Sequence, residues 1–423
     1  MTVTAASPRT APDVPSESPA QPPESLAQPP VGPENVARAL PNADLLHLEH
    51  DLPAPERERL RAIQEHLLSV VRPGSTEAWN REELPVELLP GLAELGLGRL
   101  ALDGSSRLFQ NLVHAQIARA DLSLSALLGI HNELIVGTLT AFGSEEQKRT
   151  WLPGLTQLTQ LGAFCLTEPE HGSDIAGGLS TTATRDADGW VLNGSKRWIG
   201  LGTVADLALV WARDTADGRI KCFAVDTSLP GYSATKIEHK IGLRIMQNAD
   251  VELTDLRLPA DALLPGAADF GATKDLLRDS RAWVGWQAVG AQQAVFDILR
   301  EYTLTRVQFG RPIASFQLVQ QVLAEVAGNL AASAGLMAQV TRVQDAGEME
   351  MMHAALAKST ATRLARHSAA QARDALGGNG LLSDHGIAKI MADIEAIHTY
   401  EGSYHINSLI VARALTGISA FVS

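Results

Sequence analysis

Short segments of this chain carry side chains whose types and spacing could do chemistry. Thr399-Tyr400-Glu401-Gly402 sets a carboxylate between an aromatic ring and a glycine. A carboxylate in a dry pocket gains basicity by desolvation and suits removal of a weakly acidic C–H proton. The same residue near a helix N-terminus is as readily a solvated acid facing the helix dipole. Arg306-Val307-Gln308-Phe309-Gly310-Arg311-Pro312 offers a guanidinium of the kind that grips a pyrophosphate bidentately. Leu376-Gly377-Gly378-Asn379-Gly380 lets backbone approach a ligand without a Cβ in the way, although read bare it is a helix terminus and turn. Leu166-Thr167-Glu168-Pro169 with Gly172-Ser173-Asp174, and Asn193-Gly194-Ser195-Lys196-Arg197-Trp198-Ile199, add hydroxyls and a tryptophan that suits a β-domain core equally well. Cys165 and Cys222 are far apart and lack metal-ligand spacing, which fits thiols serving as small buried hydrophobes in a reducing compartment.

The elements that must position these residues follow from composition and period. With 423 residues, 45% apolar and 20% charged, the chain can fill two or three packed domains. Residues 1–40 are rich in Pro, Ser and Ala, with Pro22-Pro23 and Pro29-Pro30, and are expected to form a disordered tail. Over 41–161 the apolar residues recur at helical spacing, as in Leu60, Ile63, Leu67 and Val71. Over 162–268 short runs such as Gly162–Leu166, Trp190–Asn193, Leu207–Ala212 and Lys221–Val225 alternate with turns such as Asp186-Ala187-Asp188-Gly189, which predicts a β-domain. Over 269–423 helical period returns at roughly 272–305, 348–373 and 384–414, and a helix starting near Ser315 carries Val319, Val322, Leu323, Val326 and Leu330 on one face. The expected class is α+β: an N-terminal helical domain, a central β-domain and a C-terminal four-helix bundle.

No uninterrupted apolar run approaches the roughly 20 residues that span a bilayer, and no basic-then-apolar leader opens the chain, so a cytoplasmic protein without membrane insertion is expected. The ending Phe421-Val422-Ser423 is not a Ser-Lys-Leu-type peroxisomal address. The net charge of −13 argues against a nucleic-acid partner.

In their order and spacing, the segments resemble the acyl-CoA dehydrogenase and acyl-CoA oxidase superfamily over most of the chain after residue 115. The likeness is strongest to glutaryl-CoA dehydrogenases and to short-chain acyl-CoA oxidases of plant peroxisomes, through Thr399 to Gly402, Ile406, and Arg413 to Thr416-Gly417. Lys240-Ile241-Gly242-Leu243-Arg244 with Gln247-Asn248 resembles the oxidase branch. The resemblance implies the three-domain fold above, an FAD cofactor and an acyl-CoA substrate. It implies α,β-dehydrogenation of a short or branched acyl group to a trans-2-enoyl-CoA, with Glu401 as general base and flavin N5 as hydride acceptor.

By the same resemblance, Cys165, Leu166 and Thr167 hydrogen-bond the isoalloxazine, Trp198 and Ile199 wall it, and Ser173 lies near the flavin or the ligand phosphates. Arg306 neutralises the pyrophosphate, and Gln308, Phe309 and Gln317 line the adenosine. Asp374, Ala375, Gly377, Gly378, Ser403 and His405 complete the cofactor set. Some of these reach FAD held mainly by a neighbouring subunit, which implies a homotetramer. Ser280, Arg281, Tyr400, Gly402 and Arg413 join Ser173 at the substrate, with Arg281 and Arg413 near the CoA phosphates. Ser280 stands where some relatives carry the base, and a serine cannot do that work.

One departure bears on the substrate. Glutaryl-CoA dehydrogenases hold the distal carboxylate with an arginine, where this chain has Ser125, and Ala118 replaces an accompanying glutamate. A carboxylate buried there would lack a cation, so glutaryl-CoA is disfavoured and a neutral acyl chain is expected. The electron acceptor, an electron-transfer flavoprotein or oxygen, is left open. Two further readings keep the fold: a DNA-associated flavoprotein, and an enzyme of nitroalkane oxidation or hydroxylation. The first needs a basic C-terminal surface, whereas 384–423 holds only Lys389 and Arg413 against Asp384, Asp393, Glu395 and Glu401. The second would alter the base or lose the acyl-CoA contacts.

Overall fold

A computed structural model describes residues 43–420. The expected tail 1–40 and the terminal Phe421-Val422-Ser423 lie outside the described residues. The helices are Ala54–His66 (α1), Arg72–Arg81 (α2), Leu89–Glu94 (α3), Arg107–Ala120 (α4), Leu122–Gly129 (α5), Gly137–Phe142 (α6), Glu145–Thr156 (α7), Ile175–Gly178 (α8), Thr273–Thr305 (α9), Gln317–Asp345 (α10), Met351–Ala375 (α11), Ile387–Thr399 (α12) and Tyr404–Thr416 (α13). The main strands are Gly162–Cys165 (β1), Thr182–Arg185 (β2), Gly189–Gly200 (β3), Leu207–Asp214 (β4), Ile220–Asp226 (β5), Tyr232–Lys236 (β6) and Asn248–Pro259 (β7).

Sequence decides the helix ends. Ser106 caps α4 by accepting from Phe109 N, and the same helix stops at Asp121, whose extended backbone lets its carboxylate accept from Leu124 N and start α5. Ser144 and Gln147 form a reciprocal capping box on α7. Leu60, Ile63, Leu67 and Val71 are all buried, as their spacing predicts. Leu122–Phe142 is a continuous helical stretch long and apolar enough to cross a membrane, although His131, Asn132 and Glu133 interrupt its apolar run. It is a core helix, since 83% of its most apolar window is buried in the protein. A π-helical turn, Ile130–Val136, absorbs those polar residues in its middle.

The sheet runs β1-β4-β2-β3-β7-β6, with β5 paired to β4. β4 is buried on both faces, so it reads as a continuous apolar run. Ala208, Val210 and Ala212 pack with Cys165, Leu192, Phe223 and Val251 on one side. Leu207, Leu209 and Trp211 pack with Ile135, Leu139 and Leu155 of the N-terminal helices on the other. A Cβ at Gly162 would strike Ile135, so this glycine sets how closely β1 approaches those helices. Cys165 and Cys222 are both buried free thiols.

The C-terminal helices surround α9, whose residues 280–296 are all buried. The expected stretch 384–414 is two helices, α12 and α13, broken at Tyr400–Ser403, so the C-terminal part has five helices. The N-terminal half of the predicted α10 face is half-buried at Val319, Val322 and Leu323, while Val326 and Leu330 are buried. Buried Asp393 ties the three parts together: it accepts from Trp79 Nε1 at 2.8 Å, Leu243 N at 2.6 Å and Lys389 Nζ at 3.0 Å. Gly242 lets the β-domain lie on α12, because a Cβ there would strike Ala392 O.

Candidate active site

Glu401 sits on the break between α12 and α13. Its φ of 52° and the 80° of Gly402 put both residues in the left-handed region, which for a glutamate costs of order 1 kcal/mol and persists only if the surroundings enforce it. Two buried side chains do so. Asn407 Nδ2 donates to Gly402 O at 2.7 Å and Ser403 O at 3.2 Å, and Arg281 Nε holds Asn407 Oδ1 at 3.2 Å. Lys358 Nζ donates to His398 O at 3.0 Å and Gly402 O at 2.8 Å, clamping the end of α12 to the turn. Ser403 then accepts from Ile406 N at 3.3 Å and opens α13. From α9, Ser280 Oγ donates to Glu401 Oε2 at 2.7 Å.

The electrostatics follow from burial. Lys358 is fully buried with only carbonyls as hydrogen-bond partners, and desolvation pushes its ammonium down to about 7, against the restoring pull of the Glu401 carboxylate. Arg281 is likewise lowered by burial and partly restored by Glu401. The Tyr400 hydroxyl is pushed well up by burial and then by the Glu401 charge. It donates to Gln287, whose Nε2 donates to buried Ser125 Oγ at 3.1 Å. The arrangement is a rigidly held carboxylate with a tyrosine and an amide on its interior side.

A second group lies in the β-domain. Leu166 and Thr167 continue from β1, and Arg197 N donates to Thr167 O at 2.9 Å. Beneath them, Lys196 Nζ donates to Leu166 O at 3.1 Å and Glu168 Oε1 at 2.8 Å. Burial opposes ionisation of Glu168, but Lys196 and the hydrogen bonds from Thr181 and Ser180 outweigh it and hold the carboxyl at about 2. The register of β3 against β7 shifts between Lys196 and Ile199, and at this bulge Trp198 takes a φ of 63°. Its indole is 53% exposed, whereas Ile199 is buried.

These residues fit a flavin. The bulge leaves Trp198 half exposed, with the Arg197 guanidinium 5.3 Å from its ring centre, next to the backbone pair of Arg197 N with Thr167 O, so aromatic surface and strand backbone are offered together, as a planar heteroaromatic ring requires. Gly377, at φ 61°, and Gly378 have open space where a Cβ would stand, which leaves a cradle for another group. Ser173 is exposed.

Arg306 is the exposed C-cap of α9, followed by the hairpin of Val307–Gln308 (β8) and Arg311–Pro312 (β9). Gln308, Phe309 and Gln317 are exposed around it, Phe309 at 93%. Asp374 and Ala375 end α11, and Asn379 Nδ2 reaches Tyr302 Oη at 3.0 Å, so Arg306, Leu376 and Asn379 line one cavity of about 750 Å³. His405 is exposed near the start of α13 and Arg413 in its last turn.

The structure therefore brings together Ser280, Arg281, Tyr400, Glu401, Gly402 and Ser403, and separately Cys165, Leu166, Thr167, Trp198 and Ile199. The hairpin residues and Arg413 stand on the surface, apart from both groups. Sequence reasoning missed Lys358, Asn407, Gln287 and Trp283. For Lys358 a signal existed: it interrupts a stripe of buried alanines, Ala354, Ala355, Ala357, Ala361 and Ala365, where a lysine needs a buried partner.

Comparison with known proteins agrees with this geometry. Three family models match: acyl-CoA dehydrogenase N-terminal domain at residues 55–159, middle domain at 163–256 and C-terminal domain at 270–416. The mitochondrial isobutyryl-CoA dehydrogenase of Dictyostelium discoideum is 32% identical over 80% of this chain and 84% of its own length. The human mitochondrial short-chain specific acyl-CoA dehydrogenase is 33% identical over 76% and 80%. A crystal structure of a glutaryl-CoA dehydrogenase from Mycobacterium smegmatis in complex with FADH2 superposes with a TM-score of 0.86 at 30% identity, covering 90% of this chain and 99% of that one. The fold and its two residue groups define a three-domain flavoprotein oxidoreductase. The chain belongs to the acyl-CoA dehydrogenase family, whose members are FAD-dependent.

Proposed function

We propose that this protein dehydrogenates a short straight or branched acyl-CoA to the trans-2-enoyl-CoA, with Glu401 as the general base. The observation that carries this reading is the Glu401 carboxylate itself, fixed by Ser280 at 2.7 Å on a left-handed turn that Lys358 and Asn407 hold in place. Fixing a base this way removes the entropy of positioning it at the α-carbon. Glu401 takes the α-proton, the β-carbon gives up a hydride, and the α,β double bond forms from the electrons left behind. When bound, FAD supplies the acceptor for that hydride. Trp198, Ile199, Leu166 and Thr167 hold and orient the flavin ring, and Arg306 with Gly377 and Gly378 suits its diphosphate.

Ser125 supports a neutral acyl group. It is buried and its Oγ accepts from Gln287 Nε2 at 3.1 Å, so this position presents a hydroxyl rather than a cation to a distal carboxylate. Identity does not separate the acyl groups: 32% and 33% to the isobutyryl and short-chain enzymes stand beside 30% and 36% to glutaryl-CoA dehydrogenases of Mycobacterium smegmatis. The electrons then pass to an electron-transfer flavoprotein or to oxygen. Exposure of Val307, Phe309 and Leu318 around the hairpin supports their burial against other copies in a homotetramer, which light scattering reads directly.

The test is anaerobic titration of the yellow protein with butyryl-CoA. Bleaching of the oxidised-flavin band is expected in the parent and is lost in Glu401→Gln, which still binds the thioester. Retained bleaching in Glu401→Gln would remove Glu401 from the mechanism. Re-admission of oxygen should restore the band slowly; rapid return with peroxide release would make the protein an oxidase.

A further inference from the structure

The face of α9 that carries Ser280 continues inward as Trp283 and Gln287, spaced i, i+3 and i+7 on one side of a helix. All three are buried. Ser280 holds Glu401 and Gln287 holds the hydroxyl of Tyr400, the residue next to the base. Trp283 lies between them, its ring 6.5 Å from that of Tyr400. An acyl chain with its α-carbon at Glu401 and its tail laid along this face toward the interior meets the indole first.

Three contacts stop that indole from swinging aside. Its Nε1 donates to buried His114 Nδ1 at 3.0 Å, and the two rings meet edge to face at 5.9 Å. Its benzo edge lies on Gly129, where any Cβ would fall inside the ring, so α5 carries a glycine at this point to make room for it. On the third side stands Tyr400. Behind it, Gln287 and Ser125 form a hydrogen-bonded polar wall that an apolar tail would have to desolvate.

We infer that Trp283 is the specificity-determining floor of the acyl site and limits the substrate to acyl groups of about three to five carbons, isobutyryl included. This rests on the reading of Glu401 as the base. The limit comes from helix geometry. For a chain laid parallel to α9 from Glu401, the three residues from Ser280 to Trp283 advance about 4.5 Å, the length of roughly three C–C bonds beyond the α-carbon.

The experiment compares flavin reduction by butyryl-, isobutyryl- and octanoyl-CoA in the parent holoenzyme and in Trp283→Ala. The parent should reduce with the two short thioesters and fail with octanoyl-CoA. In Trp283→Ala the octanoyl-to-butyryl ratio of kcat/KM should rise at least about tenfold, the scale on which apolar pockets discriminate chain length. Trp283→Leu, with less loss of volume, should move the same ratio in the same direction and carries the test if the alanine variant does not fold. A parent that takes octanoyl-CoA as well as butyryl-CoA, or a folded variant with an unmoved ratio, overturns the assignment. Absence of reduction by every thioester would instead defeat the Glu401 reading, so the two failures are distinct.

Discussion

Replacing Lys358 by methionine should make the protein more stable and slower. The side chain is fully buried, and the descent of its ammonium from 10.5 to about 7 corresponds to roughly 5 kcal/mol against the charged form. Methionine has similar length and no charge. What it removes is the donor to His398 O, one of the otherwise unpartnered carbonyls at the C-terminus of α12, and one of two donors to Gly402 O, which keeps Asn407. That loss is worth about 1–3 kcal/mol, so Lys358→Met should gain on the order of 1–3 kcal/mol at pH 7. The sign of the pH dependence is fixed. Because the folded-state value is lowered, the unfolded chain binds the extra proton between about pH 7 and 10.5, and parent stability rises with pH across that window. The advantage of the variant should therefore shrink by roughly 2 kcal/mol between pH 7 and 9. Freed of its clamp, the Glu401 turn relaxes, and a misplacement of about 1 Å slows chemistry by up to about a hundredfold. Thermal midpoints at the two pH values and anaerobic stopped-flow reduction by butyryl-CoA measure both effects. A pH-independent loss of stability would refute the buried-charge argument, and an undiminished reduction rate would refute the positioning role.

Two other perturbations test the supports. Lys196→Met strands the Glu168 carboxylate in the interior beneath the flavin strand and should cost about 3–5 kcal/mol with loss of bound FAD, read from the thermal midpoint and the flavin-to-protein ratio; full flavin content at unchanged stability would show that the pair supports nothing. His131 is fully buried, accepts no partner at Nδ1, and is pushed down to about 4 by desolvation. Its unfolded form gains a proton first, so it lowers stability as pH falls below 6.5, by roughly 2 kcal/mol between pH 7 and 5. His131→Gln should flatten that acid limb of the stability profile, and an unchanged slope would exclude His131 as its source.

Much of this molecule is local information. Spacing at Leu60, Ile63, Leu67 and Val71 specifies which face of a helix is buried, and alternation in the β-domain specifies strands, because those periods are properties of the backbone itself. The segments around Thr167, Trp198, Arg306, Gly377 and Glu401 carried the family resemblance in residue type and order. The break between α12 and α13 did not show in the period, since both helices share an apolar face across it. It needs left-handed backbone at Glu401, which no propensity favours and which only side chains from other helices enforce. Only tertiary structure decided what surrounds Glu401. Ser280 is 121 residues from Glu401, and Trp283 is 169 from His114. Such pairs meet because α9 packs between the N-terminal helices and the C-terminal bundle. Periodicity states that a face is buried; what it is buried against depends on how distant elements pack, and that is where the contacts of Trp283 and the burial of Lys358 arise.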